Sequence, residues 1–177
     1  LTIQHGRKMV EAVKRYGAVF QTGTQQRSER EFRRACELVR NGRIGKLTQV
    51  SVFVPGGLRE GPFTPVPVPA GFHWDLWLGQ APQVDYLKER THSTFRWWWD
   101  YSGGPVTDWG AHHNDVARWA IGLDGPIAIE ASAPVAPIPG GFTTPPEFSA
   151  TLMWANGVKQ IVKTTLELGM TDHLAAF

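Results

Sequence analysis

Ser102-Gly103-Gly104-Pro105-Val106-Thr107-Asp108-Trp109-Gly110-Ala111-His112-His113-Asn114-Asp115 is the stretch on which the reading of this chain turns. The glycines make a turn. Pro105 suits a first helical position, where its missing N–H would have no partner anyway. A helix is expected from about residue 105 to residue 121, stopped by Gly122. On such a helix Asp108, His112 and Asp115 fall four and then three residues apart, which sets two carboxylates and an imidazole on one stripe. A carboxylate beside a histidine fixes its tautomer and tunes its basicity, as proton transfer near neutral pH requires. The plainer alternative is a helix surface carrying a local ion pair. A third is a zinc or manganese site that recruits His113, His73 or His92. Against that one, His113 points about 100° away from His112 on a helix.

Downstream of this stretch, residues 127–132 and 147–154 read as strands, separated by a loop holding Pro134, Pro137, Pro139, Pro145 and Pro146. Asn156-Gly157 is a hairpin turn leading to a return strand from residue 158 to about 166. Upstream, residues 47–54 alternate as a strand does, and residues 55–71 hold five Pro and four Gly in a long irregular loop. Residues 72–79 form a compact aromatic turn. Residues 80–101 look irregular, with Arg90, His92 and Arg96 available for anions or hydroxyls. Six of the eight Trp lie between Trp74 and Trp109, and flat aromatic faces suit sugar rings and nicotinamides.

The first forty residues have a different character. Thr2 caps a helix running to about Tyr16, with Ile3, Met9, Val10 and Val13 as its apolar side and Gly17 as its stop. Residues 18–22 carry no charge and read as a buried strand of a parallel sheet. Residues 23–28 are a strand-to-helix turn. Ser28 and Glu31 make a capping box for a helix bearing Phe32, Ala35, Cys36 and Val39, ended by Asn41-Gly42. Helix, strand, helix is the tail of an open α/β sheet, in which ligands bind beyond the carboxyl ends of strands. Gln25, Gln26 and Arg27 occupy that kind of place. The fold expected is therefore α/β followed by α+β, with the boundary near Arg27–Ser28.

The chain has 177 residues, 42% of them apolar, and 18 basic against 16 acidic side chains give a net charge of +2. That is ordinary for a globular protein, and no basic run suggests nucleic acid or a membrane surface as partner. One cysteine excludes an intrachain disulfide.

These residues carry a family resemblance. The glycine run 102–104 followed by Asp108-x-Gly110-x-His112-x-x-Asp115 resembles the second signature of the Gfo/Idh/MocA oxidoreductases, the glucose–fructose oxidoreductase and inositol dehydrogenase family. Gly23 to Arg27 after the strand agrees, as does Trp74-Asp75-Leu76-Trp77-Leu78-Gly79 with Pro82 beyond it. The resemblance spans most of residues 1–170. It implies that residues 1–27 are the end of an NAD(P)-binding Rossmann domain. It implies that residues 28–177 are a substrate and oligomerisation domain, incomplete at its end, with an open, predominantly antiparallel sheet. The implied activity is NAD(P)-dependent oxidation or reduction of a secondary alcohol of a sugar, cyclitol or related polyol. An NAD-dependent glycosidase working through a transient keto-sugar and a non-catalytic dimerisation or binding module are the alternatives.

By the same resemblance Asp108 and His112 are catalytic. Arg27, Trp74, Trp77 and Asp115 bind substrate, and Gln25, Gln26, Trp77 and Arg96 meet the NAD or NADP cofactor. No metal is implied. A homo-oligomer formed through the sheet and a cytoplasmic location are expected. The family's glycine-rich dinucleotide turn and its Glu-Lys-Pro motif are not in this sequence, and Ser102 stands where the family's run has glycine. The expectation is that the chain is an internal piece, inactive alone, whose activity belongs to a longer protein.

Overall fold

The computed structural model describes residues 2–165 and 174–176. Helix α1 (Ile3–Tyr16) starts as its sequence dictates: the Thr2 hydroxyl accepts from the His5 amide, and the Thr2 amide donates to the His5 ring. Gly17 ends it in the left-handed conformation. None of its residues is buried. Residues 18–22, expected as a buried strand, form no strand, and Val19 is fully exposed. A bare apolar strand needs neighbours to take up its backbone groups, and none of the described residues supplies a ladder for it.

A 3-10 turn (Gln25–Ser28) follows, and helix α2 (Arg30–Arg40) begins at Glu29, whose side chain makes no cap. The expected Ser28–Glu31 capping box is absent because Ser28 lies inside the turn rather than before the helix. Beyond residue 40 the chain builds one mixed sheet from β1 (Gln49–Pro55), β2 (Ala128–Ser132), β3 (Ser149–Met153), β4 (Lys159–Thr165) and β5 (Leu174–Ala176), in the order β2-β3-β4-β1-β5. Three neighbouring pairs are antiparallel, while β1 and β4 run parallel, with Val52 opposite Val162. The parallel pair departs from a picture of hairpin returns alone. It requires a long crossover, and residues 56–158, including the helix of the Asp/His motif, provide it. The β3–β4 hairpin turns where expected, at Asn156-Gly157, with the Asn156 side chain accepting from the Val158 amide. The far end of its return strand, residue 166, lies outside the described residues.

The motif helix α4 (Trp109–Ile121) is the middle layer of three. On one side Ala117 and Ile121 pack on Val50, Val52, Val54 and Val162 of the sheet, closed off by Trp154 and Val158. On the other, Val116 and Ala120 meet Cys36 and Val39 of α2. Strict alternation along β1 puts its three valines on the α4 side. Two aromatic clusters organise the irregular segments. The first gathers Trp74 and Leu78 of the short helix α3 (Trp74–Leu78) with Tyr86, and the second gathers Leu87, Trp98 and Phe142. The second cluster ties the loop after β1 to the loop after β2, reinforced by Phe63 N–H donating to the Gly140 carbonyl and Phe142 N–H to the Glu60 carbonyl.

Cys36 sits inside the α2–α4 contact, fully buried, with its thiol 3.7 Å from the Val116 carbonyl. Burial pushes the thiol above its ordinary value of 9.0, against the opposing pull of Arg27 and Arg40. An unfolded chain therefore loses this proton first as pH rises, so stability falls above the ordinary thiol range, by at most about 1.4 kcal/mol per pH unit. Urea unfolding from pH 8 to pH 10 should show a steeper alkaline decline in the wild type than in Cys36→Ala. Superimposable declines would refute it.

Candidate active site

Asp108 does not join the helix. A 3-10 turn (Gly104–Val106) with Pro105 in its first positions precedes it, and Asp108 is the N-cap of α4, with φ −88° and ψ −108°. The helix expected from residue 105 begins at Trp109. The cause is local. The Thr107 hydroxyl accepts from the Gly103 amide at 2.9 Å and folds back over the turn, while the Gly104 carbonyl accepts from the Thr107 and Asp108 amides. The Asp108 carboxylate is aimed away from the helix, at Arg96, whose Nη1 reaches both its oxygens at 2.8 and 2.9 Å.

Asp115, the other carboxylate of the stripe, is also committed. Arg27 donates to it through two nitrogens, at 2.7 and 2.8 Å, and lies over the Trp119 ring at 5.3 Å. This contact joins the 3-10 turn of residues 25–28 to α4. The bond to Asp115, outweighing the cost of burial, holds the Arg27 guanidinium above its ordinary range. His112, half-buried, is bonded to neither carboxylate among the described residues, and its ring meets Trp109 at 5.9 Å. So the stripe is real in sequence, yet the carboxylate–imidazole pairs expected from it are replaced by two arginine–carboxylate pairs. Their carboxylates lie on either side of His112 along the chain, and each pair cancels in charge. No group of three His, Cys, Asp or Glu converges to hold a metal ion among the described residues.

The remaining candidates are placed as follows. Gln25 is exposed, and Gln26 buries its amide oxygen with no partner among the described residues. Trp77 is half-buried, stacked on Trp74 at 5.1 Å and edge-on to Tyr101 at 4.8 Å. Trp74 is only 7% exposed and donates its indole N–H to the Val84 carbonyl, so its face is packed rather than offered. Arg90, read as open to anions, is 12% exposed: it is held by Asp100 and the Tyr101 hydroxyl and lies 4.0 Å over Trp98. His92 is exposed, with a left-handed backbone. Among the described residues the structure thus groups Arg96 with Asp108, and Arg27 with Asp115. Trp74 and Trp77 form a cluster of their own.

Sequence reasoning missed Asn114 and Trp119. Asn114 accepts from the Gln160 side chain at 2.7 Å, and Gln160 in turn accepts from the Trp154 indole, a buried polar chain tying α4 to the sheet. The helical spacing of Asp115 and Trp119, four residues, was the one available signal for a shared arginine.

The Arg27–Asp115 pair carries a direct expectation. Its side chains are 36% and 17% exposed, so its worth lies above that of a surface pair and below that of a dry one. In a double-mutant cycle with Arg27→Met and Asp115→Asn, the coupling should be about 1–2 kcal/mol by denaturant unfolding. Strictly additive losses would show that the two groups do not stabilise one another.

The site can be set beside known proteins. No protein of curated function matches the sequence. Solved structures do match the fold. The WlbA dehydrogenase from Bordetella pertussis, in complex with NADH and UDP-GlcNAcA, superposes with a TM-score of 0.61 at 19% identity over 97% of this chain and 42% of its own. GenD2 from gentamicin A biosynthesis, in complex with NAD, gives 0.65 at 17% identity over 99% of this chain and 41% of its own. The aldose-aldose oxidoreductase from Caulobacter crescentus, complexed with glycerol, gives 0.63 at 17% identity over 91% and 39%. The chain thus spans about two fifths of the length of these proteins. Residues 53–141, half of the chain, match the C-terminal alpha/beta domain of the Gfo/Idh/MocA oxidoreductases, and it is to that family that the chain belongs.

Proposed function

We propose that this chain is the substrate-side part of an NAD(P)-dependent oxidoreductase that acts on a secondary alcohol of a sugar, cyclitol or related polyol. The observation that carries the reading is the placement of His112 at the start of α4, half-buried and free of both neighbouring carboxylates, each of which is neutralised by its own arginine. An imidazole so placed can exchange a proton with a substrate hydroxyl, without the carboxylate partner that the helical spacing led us to expect. Asp108, held by Arg96, keeps acceptor capacity for a second hydroxyl and orients the reacting carbon.

The residues present fit a nicotinamide cofactor. The Gln26 amide oxygen, unpartnered among the described residues, can accept from a carboxamide N–H, and Arg96 retains Nη2 beyond its bonds to Asp108 and Ser93. Bound there, the cofactor would supply the hydride acceptor or donor. The chain's own part is to bind the polyol, hold its hydroxyl against His112 and take up or return the proton. In this reading residues 1–27 close a dinucleotide-binding domain, residues 28–177 form the substrate domain, and the sheet face turned away from α4 receives a second copy. No helix among the described residues is long and apolar enough to cross a membrane.

The test joins this chain to its dinucleotide-binding part and titrates NAD⁺ and NADP⁺ by calorimetry, followed by polyol-dependent cofactor reduction. Binding of one cofactor in the micromolar range, with reduction by at least one sugar or cyclitol, is the expected result. Absence of binding by either cofactor would overturn the proposal.

A further inference from the structure

An open cavity of about 440 Å³ lies beside the motif turn, lined by Trp99, Asp100, Tyr101, Ser102, Gly103 and Thr107. Its size is in the range of small-molecule sites, about 300–1,000 Å³. The wall is unusual for this molecule. Trp99 is 60% exposed. Its indole joins neither a ring pair nor a cation contact among the described residues, whereas Trp74, Trp77, Trp98 and Trp109 all stack or meet edge-on. Its backbone is nevertheless fixed, because the Trp99 amide donates to the Thr143 hydroxyl at 2.8 Å. One oxygen of Asp100 is anchored by Arg90 at 2.9 Å, leaving the other as an acceptor. The Ser102 and Thr107 hydroxyls stand 3.2 Å apart.

We propose that this cavity is a shelf for an uncharged pyranose ring, stacked on Trp99, with adjacent ring hydroxyls bonded to Asp100 and to the Ser102–Thr107 pair. A ring's apolar C–H face suits an indole, and vicinal hydroxyls suit a carboxylate with a free oxygen. The charge of the ligand follows from the lining. Among the described residues no lysine or arginine lines the cavity, and the nearby Arg90 is already paired with Asp100. A carboxylated or phosphorylated sugar would find no free cation and would face Asp100. The inference deepens the dehydrogenase reading and rests on it for the sugar's role as substrate. Thr107, in the cavity wall, is the chain neighbour of Asp108, which caps α4.

The experiment uses the protein joined to its dinucleotide-binding part, with neutral methyl hexopyranosides and the matching hexuronic acids as probes. Binding is read by saturation-transfer NMR and calorimetry, and turnover by cofactor reduction. Trp99→Ala should weaken the best neutral sugar at least tenfold, with Trp99→Phe recovering part of the loss, while cofactor affinity stays unchanged. Asp100→Asn should weaken it by a similar factor, and hexuronic acids should bind no tighter than their neutral parents. Equal sugar affinity in wild type and Trp99→Ala, or preference for the uronic acid, overturns the shelf even if His112-dependent turnover persists. Trp99-dependent sugar binding without hydride transfer supports the shelf while removing the dehydrogenase reading.

Discussion

His112→Ala is expected to lower polyol-dependent cofactor reduction by about 10²–10⁴-fold, the usual worth of a positioned acid–base group, and to leave the unfolding free energy within about 0.5 kcal/mol. The second half of that statement comes from the structure. His112 is half-buried and bonds to neither Asp108 nor Asp115 among the described residues, and its ring neighbour is Trp109 at 5.9 Å, in a tilted contact. Its loss empties no core cluster, since the buried positions of α4 that meet the sheet and α2 are Val116, Ala117, Ala120 and Ile121. Cofactor affinity should be untouched. The measurement pairs steady-state kinetics with urea unfolding on the same preparation. Parallel losses in turnover and stability would make His112 a structural residue. Full turnover would place the proton step elsewhere.

Asp108→Asn separates the roles further. The amide keeps one acceptor for Arg96 but discards the charge, so the Arg96 guanidinium, one third exposed, is left without its counter-ion. The signature expected from the proposed reading, in which Asp108 would orient substrate as well as hold Arg96, is a rise in KM together with a fall in kcat.

What the sequence made legible follows the range of the interaction. The Thr2 cap, the Gly17 and Gly122 stops and the Asn156-Gly157 hairpin depend on residues a few positions apart, and each is found where the local chemistry puts it. So is the apolar face of α2, because helical spacing alone assigns Cys36 and Val39 to one side. For the candidate site the sequence nominated residues but not their partners. Arg27 and Asp115 are 88 residues apart, and nothing in periodicity tells a carboxylate to choose a distant guanidinium over a histidine one turn away. Asp108 was misplaced for a subtler reason. A Thr107 hydroxyl bonded to the Gly103 amide competes with the helical ladder, as threonine near a turn does, and delays the helix by four residues. The strand expected at residues 18–22 shows the opposite limit, since composition can nominate a buried strand but cannot provide the neighbours that would bury it.

The glycine run governs the site mechanically, and Gly104→Ala should show it most sharply. Gly104 has φ +64°, and a Cβ there would stand 2.7 Å from the Thr144 hydroxyl oxygen and 2.8 Å from the Thr144 Cβ. The left-handed backbone costs an L-residue about 1–2 kcal/mol, and forcing a methyl into a packed site adds about 1–3 kcal/mol. Relief by movement of Thr144 is blocked. That residue is fully buried, and both its amide and its hydroxyl donate to the Trp97 carbonyl, at 3.1 and 3.2 Å. Trimming it to Thr144→Ala leaves its Cβ in the way. The net expectation is a loss of about 2–5 kcal/mol on urea unfolding. Gly125→Ala is the control, since a Cβ there meets nothing within 4 Å, and it should be neutral or slightly stabilising. Because the Gly104 carbonyl holds the Asp108 amide at 3.0 Å, whatever Gly104→Ala protein remains folded should also lose alignment of Asp108 and Arg96, seen as a raised KM at temperatures well below its melting point. A variant as stable and as active as the wild type would mean that the turn accommodates a side chain, and the positioning of Asp108 would then have to rest on Arg96 alone.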